Sequence, residues 1–121
     1  MSFREDKDFV LDMYQACQRI LEYTQGMNFE EFLKDQKTID AVVRNIEILG
    51  EAAKRVSRSL KEKYSFIEWR EIARTRDKLI HHYFGVDVAV VWTILSNDVP
   101  ALKEKLLQLV RAEGWGSELT D

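Results

Sequence analysis

Apolar residues return every third or fourth position along almost the whole chain, and no stretch alternates strictly between apolar and polar as a half-buried strand does. That periodicity restricts the chain to packed helices. From about residue 5 to 25 the stripe is Phe9, Met13, Ala16, Cys17, Ile20 and Thr24, closed by Gly26. Phe29-Glu30-Glu31-Phe32 predicts a turn or a one-turn helix. A longer helix begins near Asp35 or Thr38, with Ile39, Val42, Val43, Ile46, Leu49, Ala53 and Val56 on its apolar side and Arg44, Asn45, Glu47 and Glu51 on its polar side. Gly50 in its middle lowers helix propensity, which predicts close contact with a neighbouring helix rather than a break. Ser65, with Glu68 three residues on, predicts the N-cap of a helix running through Trp69 and Ile72 to about Tyr83 and ending at Gly85. Asp87 caps a last stretch carrying Val88, Val91, Trp92, Leu95, Val99, Leu102, Leu106 and Leu109. Pro100 is predicted to kink or divide it, with Asp98 capping the second part. The expected fold is all-α, an antiparallel bundle of four to five helices, with residues 1–113 as one domain and 114–121 as a tail.

A chain of 121 residues, 45% of them hydrophobic, is enough for one core and too short for two. The single cysteine, Cys17, lies in the apolar stripe and has no second cysteine to pair with, so it is expected to be a small buried hydrophobe. The N-terminal residues lack an apolar signal region, and no stretch reaches membrane-spanning length without charges, so a soluble cytoplasmic protein is expected. A net charge of -3 weighs against nucleic-acid binding, yet the charge is uneven. Lys and Arg against Asp and Glu number 6 to 10 in residues 1–50, 9 to 5 in 51–81 and 3 to 6 in 82–121. The cations of the middle third could supply a local phosphate footprint; the plainer reading is a solvated face.

Within that basic third stands the most chemically loaded segment, Arg76-Asp77-Lys78-Leu79-Ile80-His81-His82-Tyr83. It sets a permanent guanidinium, an imidazole that titrates near neutrality and a phenol within about two helical turns. At 100° per residue, Trp69, Ile72, Ala73, Arg76, Ile80 and Tyr83 share one stripe, so Arg76 sits among apolar neighbours and needs an anion. Glu47 or Glu51 would serve as an ion-pair partner, and so would a substrate phosphate. Asp77 precedes His81 by four residues, the spacing at which it could orient the imidazole. Residues five apart do not share a helical face, so Arg76 and His81 converge only if the helix ends early or two copies meet across a two-fold axis. Asn45 and Arg74 complete the candidate supporting set with Glu47 and Glu51. There is no Gly-rich phosphate loop, no zinc-like cysteine spacing and no nucleophile elbow, and adjacent His81 and His82 make a poor metal pair.

Arg76, four residues, His81, one residue and Tyr83 resemble the R-x-x-x-x-H-x-Y signature of HepT-like proteins in the HEPN superfamily. The resemblance extends through Arg44-Asn45-Ile46-Glu47-Ile48-Leu49-Gly50-Glu51-Ala52-Ala53, the Trp69 region, Tyr83-Phe84-Gly85-Val86-Asp87 and Asn97-Asp98-Val99-Pro100, nearly the whole chain. It implies an all-helical homodimer with both motifs facing one cleft, acting as a metal-independent endoribonuclease without a cofactor. It also implies the toxin role in a type VII-like toxin–antitoxin pair. The partner would be a minimal nucleotidyltransferase (MNT) antitoxin that transfers AMP from ATP to Tyr83. In this family setting Arg76 and His81 would be catalytic, Asp77 supporting and RNA the substrate. Two other readings stay open: a non-catalytic module that binds RNA or nucleotide or docks a nucleotidyltransferase, and a helical dimerisation domain in which Arg76 is only an ion-pair partner.

Overall fold

In the computed structural model the described residues are 4–80 and 86–119, and the side chains of Arg76, Ile80 and Glu118 are not among them. Among these residues every regular element is helical: α1 (Asp6–Tyr23), α2 (Phe29–Leu33), α3 (Gln36–Arg55), α4 (Arg58–Lys63), α5 (Trp69–Ile80), α6 (Val88–Thr93) and α7 (Val99–Ala112). The helices are set by the expected periodicity and by local caps. Asn28 and Glu31 form reciprocal bonds across the start of α2. The Asp35 carboxylate accepts from the Thr38 hydroxyl and amide at the start of α3, which holds that carboxyl below the ordinary range. Gly26 turns the chain out of α1 with a φ of 77°, a left-handed conformation that a side chain would strain.

The core is one cluster. Val10, Met13, Cys17 and Ile20 of α1 meet Val42, Ile46 and Ala53 of α3 and Leu106, Leu109 and Val110 of α7. Burying each large aliphatic side chain stabilises the fold by roughly 1.5–3 kcal/mol. Burial pushes the Cys17 thiol up to about 12, so it remains protonated and behaves as the expected small hydrophobe. Phe32 of α2 is fully buried and its ring meets Trp92 of α6 at 5.2 Å, which fixes α2 over α6.

Helix directions follow from polar contacts at one end of the bundle. Ser57, just past α3, donates its amide to Asp6 at the start of α1 at 2.7 Å, and its hydroxyl bonds the other Asp6 carboxylate oxygen. The end of α3 therefore lies at the start of α1. Glu113, just past α7, accepts from Lys63 Nζ at 2.7 Å and from Tyr64 OH at 2.6 Å, which brings the end of α7 to the turn that leads into α5. Successive long helices alternate in direction, as the expected antiparallel bundle requires.

Three local expectations are corrected. Ser65 does not cap a helix: the chain after α3 forms the additional short helix α4, capped by Ser57 through the Leu60 amide, and Ser65 lies in the turn that follows it. Asp98 does not cap α7, because its backbone is already helical (φ -84°, ψ -41°) and its side chain makes no cap bond. α6 runs into α7 through a widened π-helical stretch, Ile94–Asp98, in which the Val99 amide bonds the Ile94 carbonyl. Pro100 has no amide hydrogen and its ring would press on the carbonyl four residues back, so the helix widens there instead of stopping. Asn45, assigned to the polar side of α3, is buried, with 5% of its surface exposed.

The Glu113 linkage generates a pH-dependent prediction. Hydrogen bonding by Lys63 and then by Tyr64 holds the Glu113 carboxyl below the ordinary carboxylate range. Its stabilising contribution is present above that range and lost as the pH falls through the lowered folded value. Glu113→Gln should unfold a few degrees below wild type at neutral pH, and the gap should close in acid; a gap that persists in acid would show that the charge is not its source.

Candidate active site

The first requirement of the site is a fixed α5. Both ends of that helix are anchored in the core, Trp69 with 7% of its surface exposed and Leu79 with 1%. The Trp69 indole N–H donates to the Tyr64 carbonyl at 3.1 Å, so the large ring is buried without leaving its polar edge unpaired. Ile72 and Ala73 are half-buried between the two anchors. The helical position of Arg76 lies four residues after Ile72 and three before Leu79, within the arc that these anchors span. The expected stripe omits Leu79, the more deeply buried of the two anchors, because the spacing from Arg76 runs on to Ile80 instead.

Asp77 and Arg74 are exposed on α5, and neither makes a hydrogen bond or ion pair with another described residue. Lys78 reaches back two turns to Glu71 at 3.6 Å, a pair open to solvent and of little energetic weight. His81 and Tyr83 lie outside the described residues, as do His82, Phe84 and Gly85. The chain is described again from Val86, and Asp87 caps α6 by accepting from the Ala89 and Val90 amides. The motif therefore begins on α5, whose described part ends at Ile80, and α6 in turn packs against α2.

Beside α5 runs a groove of about 350 Å³ between α3, α5 and the π-helical stretch. Ile46, Leu49 and Ile72 supply apolar wall, while Lys78, Asn97 and Asp98 supply polar edge. Residue spacing assigns Asn97 and Asp98 no part in the site; they lie in the π-helical stretch and line the groove beside α5.

The supporting candidates on α3 separate. Glu51 is exposed and lines a different groove, between α1 and α3, and Glu47 is half-buried. Asn45 donates its Nδ2 to the Ala41 carbonyl at 2.9 Å, but its buried Oδ1 has no hydrogen-bond partner among the described residues. The expected basic footprint is divided: Arg58, Lys61 and Arg70 line one groove beside the start of α5, together with Glu62, Glu68 and Glu71, while Lys63 bonds Glu113, Lys78 faces Glu71 and Arg55 lies in the α1–α3 groove. No three His, Cys, Asp or Glu side chains among the described residues converge as a metal site would need. No helix among them is long and apolar enough to cross a membrane.

Comparison with known proteins adds an independent line. Residues 13–109 match the family model described as ribonuclease HepT-like. The chain is 48% identical over 106 residues to a probable ribonuclease HepT of Thermococcus cleftensis, covering 88% of this chain and 96% of that protein. It is 38% identical over 111 residues to a putative RNase of Methanocaldococcus jannaschii, covering 92% of each. A putative RNase of Caldanaerobacter subterraneus is 36% identical over 107 residues, covering 88% of this chain and 96% of that protein. No solved structure matches the chain.

The Asn45 oxygen, without a partner among the described residues, is open to a direct test. A buried acceptor without a partner costs on the order of 1–3 kcal/mol, and leucine of similar size removes it. Asn45→Leu should raise the unfolding free energy by about 1 kcal/mol, measured by urea denaturation. A lowered midpoint would mean that the amide contributes more than its bond to Ala41 accounts for.

Proposed function

The chain belongs to the HepT-like ribonuclease family, and on that premise we propose that it is a metal-independent endoribonuclease with Arg76 and His81 as its catalytic pair. The observation that carries this reading is the seating of α5. Its two buried anchors bracket the backbone position of Arg76, and the second of them stands two residues before His81.

The chemistry follows from the residue types. Imidazole has a reference pKa near 6.5, so both its forms are populated near neutral pH. His81 takes the proton from a ribose 2′-hydroxyl, whose oxygen attacks the adjacent phosphorus. The bond from phosphorus to the 5′-oxygen breaks, and that oxygen receives a proton. Arg76 holds the phosphate with its planar fork and offsets the charge that grows on its oxygens. Asp77 orients His81 from one turn before. The products are a 2′,3′-cyclic phosphate and a 5′-hydroxyl, and DNA, lacking the nucleophile, is not cut.

The partners belong to the same proposal. A homodimer would place two copies of the motif in one cleft, resolving the divergence of Arg76 and His81 on a single helix and supplying one imidazole as base and another as acid. As the toxin of a type VII-like toxin–antitoxin pair, the protein would be silenced by a minimal nucleotidyltransferase. The Tyr83 hydroxyl would attack the α-phosphorus of ATP, pyrophosphate would leave, and the AMP group would add bulk and negative charge where RNA phosphate binds.

Purified protein should cleave single-stranded RNA in EDTA, while Arg76→Ala and His81→Ala, folded by circular dichroism, should each lose about 100-fold or more in rate. Cleavage that EDTA abolishes, or that survives His81→Ala, would contradict the mechanism. Incubation with the cognate nucleotidyltransferase and ATP should add one AMP to wild type and none to Tyr83→Phe, read by peptide mass; adduct on that peptide of the variant would place the modification elsewhere.

A further inference from the structure

Although the chain is acidic overall, its fold gathers arginines from three separate segments into one place. A groove of about 400 Å³ between α1 and α3 is lined by Arg4, Arg19, Arg44 and Arg55. On α3 the arginines stand at Arg44 and Arg55, eleven residues apart on one stripe with Ile48 between them, which spreads them over about 17 Å along the helix. Arg19 faces them from α1.

The four guanidiniums are not equivalent. Arg4 is committed within the protein, paired with Asp12 at 2.7 Å and lying over the Phe9 ring at 5.1 Å. Arg19, Arg44 and Arg55 are exposed and make no hydrogen bond or ion pair with a described residue. Each has a carboxylate at helical pairing distance in sequence, Glu22 for Arg19, Glu47 for Arg44 and Glu51 for Arg55. None of the three takes it. The groove's carboxylates, Asp12 and Glu51, leave it with two net positive charges against four guanidiniums. Three uncommitted planar forks along one groove of an acidic protein match a row of phosphates rather than a single small anion.

We propose that the α1–α3 groove is a second contact for the RNA backbone, with Arg19, Arg44 and Arg55 each holding a phosphate of the strand outside the cleaved linkage. This rests on the ribonuclease reading and extends it. A strand held there gains affinity from counterion release without sequence preference, so the groove governs binding of long RNA and leaves the chemical step alone. A substrate too short to reach the groove does not sense it.

The test uses the full chain carrying Arg19→Gln, Arg44→Gln and Arg55→Gln together, beside a charge-matched control carrying Lys34→Gln, Lys37→Gln and Arg111→Gln. Binding of a fluorescent, non-cleavable 2′-O-methyl oligoribonucleotide is followed by anisotropy over a salt series, and cleavage of a dinucleotide is followed separately. The groove variant should bind at least about tenfold more weakly. Its slope of log K against log salt should fall by about 2, near 0.7 for each phosphate of a single strand that is no longer neutralised. The control should stay close to wild type, and all three proteins should cut the dinucleotide at equal rates. Equal affinity and slope in wild type and groove variant, an equal loss in the control, or a groove variant that has changed its oligomeric state would each overturn the proposal, the last by assigning the groove to contact between copies of the chain. The binding arm is independent of catalysis: a protein that binds through the groove yet cuts no RNA would refute the ribonuclease reading alone.

Discussion

The seating of α5 on α3 is the interaction on which the rest depends. Trp69 and Leu79 are buried at the two ends of α5, and the Trp69 indole is tied to the Tyr64 carbonyl in the turn before it. With both anchors in the core, the helix can neither roll nor slide without opening a cavity that costs several kcal/mol. The backbone of the arginine between the anchors is consequently held at a defined height and bearing. Preorganisation of this kind is what electrostatic catalysis on a phosphate demands of its scaffold.

A second consequence concerns charge. The protein is acidic as a whole, and cations adjacent in sequence are scattered by the fold over several faces, many of them tied to carboxylates. Arg58, Lys61 and Arg70 do share a groove, but three carboxylates line it with them, whereas Arg19, Arg44 and Arg55 gather from separate helices with only Asp12 and Glu51 beside them. For a polyanion approaching this surface, the field of the groove matters more than the net charge, since exposed charges are screened beyond about 10 Å at 0.1 M salt.

Much of the fold is legible in the sequence because each long helix carries its own apolar stripe and end signals. Gly26, Asp35 and Asp87 stand where the sequence places helix boundaries, and the stripes of α1 and α3 are the buried ones. Local signal fails where tertiary contact or backbone geometry overrides it. Ser65 and Glu68 have capping spacing, but Ser57 makes the cap that forms, and it is held by Asp6 from fifty-one residues away. Pro100 signals an interruption without saying whether the helix will stop or widen, and widening removes Asp98 from any capping role. Asn45 is assigned outward by its polarity and inward by its position between Val42 and Leu49, and packing decides for position. In the site, the motif itself is readable from residue types and spacing. The groove beside it and the arginine track depend on which helices are neighbours, which one sequence does not state.

The central claim is that the bundle presents an arginine and a histidine to a phosphodiester whose own 2′-hydroxyl is the nucleophile. The end groups of the cleaved RNA test it most directly, because they record which oxygen attacked. After brief digestion in EDTA, mass spectrometry of the fragments should find 2′,3′-cyclic phosphates on the upstream pieces and 5′-hydroxyls on the downstream ones. Fragments ending in 3′-hydroxyl and 5′-phosphate would mean that water attacked instead, and would contradict these roles for Arg76 and His81.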